Sequence, residues 1–255
     1  MELIEDRLYT RIKNRIGSAI ADFGLISEGD RIAVAVSGGK DSYTLLHMLD
    51  VLRRRAPVRY ELVAINIDSG YPGFRADIIE EHLKENGFTY HIEKTDHYGI
   101  ISEKRRPNSS YCSICARLKR GALYGLAQQY GCNKLALGHH MDDFIETLLL
   151  NQFFVGSLKA MSPNMLADNG VTTVIRPLVY VPESDIIPFS RNNCFPVVCC
   201  RCPVCGSADL QRKRMKELLT TLERDNPQVK KSLLKALSNV HPRHLLDKGL
   251  LRKPS

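Results

Sequence analysis

Apolar and polar positions along the chain alternate between two periods. From Leu8 to Phe23 apolar residues recur at helical spacing, and Gly24 follows, which predicts a helix closed by glycine. Residues 31–36 form a short apolar run of strand length. Gly38 and Gly39 punctuate it, and the helical period returns over Ser42–Leu52. The same order repeats with 61–67 as strand and Ala76–Asn86 as helix. Thr89–Ile92 predicts a third strand, Cys115–Tyr130 a helix, Lys134–Leu137 a fourth strand and Asp142–Phe154 another helix. Val174 and Ile175 suggest a last short strand. Strands alternating with helices predict an α/β fold, a parallel twisted sheet with helices on both faces. From Ser207 onward the pattern is helical, with apolar positions at Leu218, Leu219, Leu222, Leu233, Leu234 and Leu237, and Pro227 separates two helices. Lys248–Ser255 reads as a loose basic tail. No internal repeat or low-complexity linker interrupts the chain. The expected organisation is one domain: an N-terminal helix (1–26), an α/β core (27–195), and a cysteine-bearing, helical C-terminal region (196–255).

Composition narrows the class. The 255 residues are 44% hydrophobic, enough for a buried core. No apolar run reaches the roughly 18 residues that cross a bilayer, and residues 1–6 lack the order of a signal peptide. A soluble cytoplasmic protein without a membrane partner is expected. The net charge is +8, and basic residues come in runs at Arg53–Arg55, Lys104–Arg106, Lys119–Arg120 and Arg212–Arg214. Each run alone reads as solvated surface; together they make nucleic acid a candidate partner.

Ser37-Gly38-Gly39-Lys40-Asp41-Ser42 lies between a predicted strand and a predicted helix. Two glycines let successive N–H groups turn inward as an anion nest, and the helix adds the positive end of its dipole. Ser37 and Ser42 supply hydroxyls and Lys40 a cation. Asp41 is out of place beside phosphate unless it holds Mg²⁺ or orients the loop. The spacing is not that of a Walker loop; it matches the Ser-Gly-Gly-x-Asp-Ser signature of the PP-loop pyrophosphatases, which split ATP between the α and β phosphates. Gly138-His139-His140-Met141-Asp142-Asp143 follows the fourth strand. Ligands of open α/β sheets gather beyond the carboxyl ends of strands, so this turn should face the first loop. Gly138 permits close approach, and Asp142 and Asp143 suit Mg²⁺. His139 and His140 fit helix capping or packing as well as catalysis. This string resembles the second signature of tRNA-modifying PP-loop enzymes.

The eight cysteines are placed unevenly: Cys112 and Cys115 form one CxxC pair, and five lie between Cys194 and Cys205, including the pair Cys202 and Cys205. By spacing alone these pairs fit redox chemistry or a four-thiolate zinc site. Residues 111–121, together with 195–198 and 202–207, resemble the two cysteine motifs of the tRNA 2-thiocytidine synthetase (TtcA) family, and the resemblance runs to about Asp247. It implies a [4Fe–4S] cluster held by Cys112, Cys115 and Cys205, with one iron left open to sulfide. The crowding at Cys199, Cys200 and Cys202, with two apparent inserted residues, departs from that pattern and leaves a closed cluster or zinc open. Cys132 and Cys194 are given no role.

The resemblance further implies ATP bound by Ser37, Gly38, Gly39, Lys40, Asp41, Ser42, Ile67 and Gly138, with Mg²⁺ near Asp41 and Asp143. It implies adenylation of O2 of cytidine 32 in tRNA and its replacement by sulfur, giving 2-thiocytidine. Lys119, one helical turn past Cys115, would stabilise charge at that step, or else contact phosphate; Asp41 and Asp143 complete the catalytic set. The sulfur donor, sulfide or a persulfide from a cysteine desulfurase, is not named by the sequence, and members of the family are often dimers. A thiouridine synthetase sharing the cluster, a lysidine synthetase, and a zinc-stabilised RNA-binding module are the competing readings.

Overall fold

The computed structural model describes residues 3–104, 111–199, 201–202 and 210–251. The chain divides into two compact units: Met1–Met141 with Ser162–Asp209, the sheet unit, and Asp142–Met161 with Leu210–Ser255, the helical unit.

In the sheet unit, strands β1 (Asp30–Ala35), β2 (Tyr60–Asp68), β3 (Tyr90–Lys94), β4 (Lys134–Ala136), β5 (Asn164–Leu166) and β6 (Thr173–Ile175) form one sheet in the order β3-β2-β1-β4-β6-β5. All neighbours are parallel except β5 and β6. Alternation along the strands sorts the side chains. Ala33, Val63, Ile65, Ile67 and Leu135 meet Leu126 and Ala127 of helix α5 (Tyr111–Gln129) in a core on one face. Ile32, Val34, Leu62 and Ala64 point to the opposite face and are as fully buried. There α2 (Lys40–Arg53) packs on β1 and β2, and α3 (Ala76–Glu85) on β2 and β3; Tyr60 Oη donates to the α2 carbonyl of Leu49 at 2.8 Å.

Helix α1 (Arg7–Phe23) shows how local chemistry sets an element. Asp6 caps its start by accepting from the N–H of Tyr9 at 2.7 Å, and Gly24, at φ +56°, closes its end. Its buried stripe is Tyr9, Ile12, Ile16 and Ala19, the expected i, i+3, i+4 pattern. Arg11 fixes it to α7 (Glu183–Asn192) through a two-pronged pair with Asp185, at 2.7 and 2.9 Å.

Three elements of this unit escape the hydrophobic pattern. Helix α4 (His97–Lys104) has almost no amphipathic stripe. Strand β5 is three exposed residues at the sheet edge. Helix α7 contains Pro188, which reads as a breaker in sequence, but it starts after Pro182 with Glu183 and Asp185 in its first turn.

In the helical unit, α6 (Met141–Leu150, its first residue still in the sheet unit) gives way to a π-helical turn, Asn151–Val155, where one continuous helix was expected. Asn151 explains the change: its side-chain amide donates to Thr147 O at 2.9 Å and Lys159 O at 3.0 Å, and Gly156 at φ +71° ends the turn. Helices α8 (Leu210–Asp225) and α9 (Val229–Ala236) flank Pro227 as expected. Lys248–Leu251 forms a short helix, α10, where the sequence suggested a loose tail. Among the described residues no helix is long and apolar enough to cross a membrane.

Candidate active site

The sheet order reverses at β1: the chain runs outward through β2 and β3, then returns to place β4 on the other side of β1. A crevice opens at such a switch point, beyond the carboxyl ends of the strands. The loop after β1 and the turn after β4 meet there. A Cβ added at Gly138 would lie 3.2 Å from both the carbonyl carbon of Asp41 and the amide nitrogen of Ser42, so glycine is what lets the two backbones touch. The expectation that the two motifs face each other holds.

The first loop is tightly determined. Gly38 adopts φ +83°, and a Cβ there would stand 2.8 Å from Ile79 of α3. Ser42 Oγ donates to Gly39 O at 2.8 Å, and Ser37 Oγ lies 3.4 Å from Ser42 Oγ. Gly39 is the N-cap of α2 and has no side chain to accept from the N–H groups of the first turn. Lys40 Nζ sits between Asp41, at 3.1 Å, and Glu183 of α7, at 3.0 Å. Burial opposes its charge, but the two carboxylates outweigh burial and hold the ammonium above its ordinary range. Asp41 Oδ1 is buried and, among the described residues, accepts no hydrogen bond; His140 Nε2 stands 3.7 Å away. A carboxylate oxygen left unused beside an anion nest suits a hard cation. The neighbouring His139 accepts from Arg176 Nε at 3.2 Å through Nδ1.

Ser37, Gly39, Ile67, Ser69, Tyr71, Phe74, Lys119 and Val198 line a cleft of about 200 Å³. Ile67 and Lys119, far apart in sequence, therefore share the wall on which Ser37 and Gly39 stand. Ser69 Oγ is buried with no hydrogen-bond partner among the described residues, a polar atom facing the cleft with its capacity unused.

Cys115 lies one helical turn before Lys119 on α5, half-buried, and Tyr71 Oη donates to its sulfur at 3.5 Å. Tyr71 and Ile101 centre a small apolar cluster that holds both Cys115 and Cys202. Two thiols from the two CxxC pairs thus pack, partly buried, against one apolar cluster beside the cleft, and thiolate is the donor type that an iron or zinc group needs. The Cys112 side chain, Cys200 and Cys205 lie outside the described residues. Cys199 is exposed and Cys132 is buried in the sheet core.

The second segment also touches the first loop. Val198 N–H donates to Gly38 O at 2.9 Å, and Phe195 stacks on His47 of α2, with centroids 4.9 Å apart and planes at 15°. His47 Nε2 in turn lies 2.9 Å from His82 Nε2 of α3, inside the sheet unit. Burial, reinforced by His82, pushes the His47 pKa down to about 3.

Asp142 and Asp143 belong to the helical unit. Asp143 Oδ1 lies 3.4 Å from Arg212 of α8, and Asp142 Oδ1 lies 2.9 Å from Lys230 of α9. Lys230 also meets Glu223 at 2.8 Å; the carboxylates outweigh burial and raise its pKa.

Sequence reasoning missed Ser69, Tyr71, Phe74 and Glu183, and it named Val198 only as part of the second cysteine motif, not as a wall of the cleft. The first three sit in the loop after β2, where a ligand is expected by position, but no motif letter marks them. Glu183 was invisible because its helix was.

The family described as the PP-loop domain matches residues 8–196. A tRNA-cytidine(32) 2-sulfurtransferase of Citrifermentans bemidjiense is 88% identical over 255 residues, 100% of each chain. That of Geobacter sulfurreducens is 74% identical over 252 residues, 99% of this chain and 98% of its own. Among solved structures, the U34-tRNA thiolase NcsA from Methanococcus maripaludis, with its [4Fe–4S] cluster, matches at a TM-score of 0.73 and 21% identity, covering 92% of this chain and 80% of that one. At that identity the likeness is one of fold.

Proposed function

This chain belongs to the PP-loop family of tRNA-cytidine(32) 2-sulfurtransferases, and from that membership we propose that it converts cytidine 32 of tRNA to 2-thiocytidine at the expense of ATP. The observation that carries the reading is the contact of Gly138 with the Asp41–Ser42 backbone, which sets the turn after β4 against the glycine loop whose Ser37 and Gly39 line the cleft.

ATP would lie across the loop, its phosphates taking the N–H groups of Gly39 and the first turn of α2, with the hydroxyls of Ser37 and Ser42. Lys40 adds a cation, and Ile67 and Gly138 bound the nucleotide. The open oxygen of Asp41 would hold Mg²⁺, which would supply charge neutralisation at the phosphates. The target base leaves its stack to reach the cleft. Its O2 attacks the α-phosphorus, the bond to the bridging oxygen breaks, and pyrophosphate leaves. Lys119 faces the cleft as the negative charge grows. Sulfide then adds at C2, the C2–O bond breaks, and AMP departs carrying the oxygen that was O2. Cys112, Cys115 and Cys205 would hold a [4Fe–4S] cluster, which would supply Lewis-acid binding of sulfur. The apolar cluster of Tyr71 and Ile101 packs against Cys115 and leaves it half-buried.

The test is the product. Anaerobically reconstituted protein, ATP, sulfide and tRNA should yield 2-thiocytidine in nuclease digests, and tRNA with uridine at position 32 should yield none. Thiolation of both, or of neither, would overturn the assignment.

A further inference from the structure

The helical unit has two features that the chemistry above does not use. The first is charge. Its two segments carry thirteen Lys and Arg against seven Asp and Glu, so it holds +6 of the chain's +8. Lys159, Lys213, Arg214, Lys231, Lys235 and Arg243 are all exposed.

The second is apolar. The π-helical turn presents Phe153, 59% exposed, and Phe154, 47% exposed, side by side, with exposed Val155 and Leu158 following. This is a built surface: Asn151 ties both ends of the loop, and Gly156 fixes its exit. A π turn costs regular hydrogen bonding and tends to persist where a protein uses it. Beside it opens a cleft of about 720 Å³, walled by Leu148 and Leu158 on one side and by Leu233, Leu237 and Val240 on the other. Ser157 also lines it, and its Oγ is buried with no hydrogen-bond partner among the described residues. An apolar slot with one unused polar atom suits a flat, partly polar ring.

We propose that Phe153 and Phe154, with the cleft behind them, form a stacking platform for unpaired bases of the tRNA, apart from the base that reacts. Charge complementarity selects the partner. A face on a +6 unit attracts a phosphate backbone, whereas the same charge raises the cost of bringing a second copy against it. Exposed aromatic rings in such a setting bind single-stranded bases through their faces, whatever the sequence. The proposal rests on tRNA being the substrate, and its test keeps the two apart.

Affinity for tRNA is measured against KCl for the anaerobically prepared full-length protein and three double variants at positions 153 and 154. Phe153→Ala with Phe154→Ala should weaken binding about tenfold or more at every salt concentration, and leave the slope of log affinity against log salt unchanged, because stacking releases no counterions. Phe153→Leu with Phe154→Leu keeps the bulk but loses the ring faces, and should weaken binding likewise. Phe153→Tyr with Phe154→Tyr should bind as the unaltered protein does. Should the alanine pair misfold, the leucine and tyrosine pairs decide. Unaltered protein that fails to bind tRNA would overturn the substrate reading and this inference with it. Normal binding by the leucine or alanine pair would overturn this inference alone. So would an alanine pair that binds tRNA normally but sediments as a smaller species, which would assign the face to self-association.

Discussion

Around the glycine loop of the sheet unit, charged groups are held by one another: Lys40 lies between Asp41 and Glu183. In the helical unit most of the basic side chains reach solvent, and so do the apolar side chains of residues 153–155. The first arrangement suits transition-state chemistry, where dipoles and charges must be in place before the reaction starts. The second suits the capture of a long polyanion, where mobile cations lose little by moving and gain by releasing counterions. The difference separates two quantities that a single activity assay would merge, the rate of adenylation and the hold on tRNA.

The sharpest way to break that separation is at Asp41. Asp41→Ala should lower AMP formation at saturating tRNA by roughly a thousandfold, the scale on which removal of a key electrostatic group acts, while iron content and the salt slope of tRNA binding stay unchanged. Near-normal AMP formation would remove the loop from the chemistry.

The converse belongs to the helical unit. If about five phosphates are neutralised, the log–log slope should be about −3.5 to −4.5, so an approximately fourfold rise in KCl costs a few hundredfold in affinity. Lys231→Ala with Lys235→Ala should make the slope shallower by up to about two while leaving AMP formation at saturating tRNA intact. A flat profile for the unaltered protein would end the nucleic-acid reading.

A smaller effect is expected at Gly138. An alanine methyl there must displace the Asp41–Ser42 backbone by a few tenths of an ångström. The KM for ATP should rise about tenfold, on the scale that follows from a small misplacement at a reacting centre, with tRNA affinity unchanged. An unchanged KM would show that the two loops need not touch.

An effect that leaves the chemistry untouched is expected in stability. His47 is neutral in the folded protein because burial, then His82, depress its pKa to about 3, against about 6.5 when the chain is unfolded. A depressed pKa means that the unfolded chain binds the proton first. The stability tied to neutral His47 is therefore complete above about pH 6.5 and is lost as pH falls towards 3, by up to about 1.4 kcal/mol per pH unit. Urea unfolding from about pH 7 to about pH 5 should show that loss, and His47→Gln should lessen it. An equal loss in both would relieve His47 of this role.

The sheet and its switch point were legible because buried parallel strands leave apolar runs, and glycine turns break them visibly. The Ser37–Ser42 loop and Gly138 were legible because their chemistry depends on letters at fixed spacing. Glu183 and Tyr71 were not, since each reaches the site through tertiary packing: one from a helix that carries Pro188 inside it, the other from a loop marked only by its position and by the turn residues Gly70, Pro72 and Gly73. The π turn was hidden for a related reason. Phe153 and Phe154 continue the apolar pattern of α6, and only the contacts of Asn151 reveal that the helix has changed its winding. The pairing of Asp142 and Asp143 with Lys230 and Arg212 was likewise unreadable, because helix-to-helix ion pairs leave no trace in local spacing.

The account turns on the route of one oxygen atom. In tRNA carrying ¹⁸O at C2 of cytidine 32, adenylation at O2 followed by displacement with sulfide must carry that atom into AMP. Mass spectrometry of the AMP released in a single turnover should find the label in it, one atom for each 2-thiocytidine formed. AMP bearing only oxygen from water, beside thiolated tRNA, would mean that ATP is cleaved without activating the base, and would contradict the central claim.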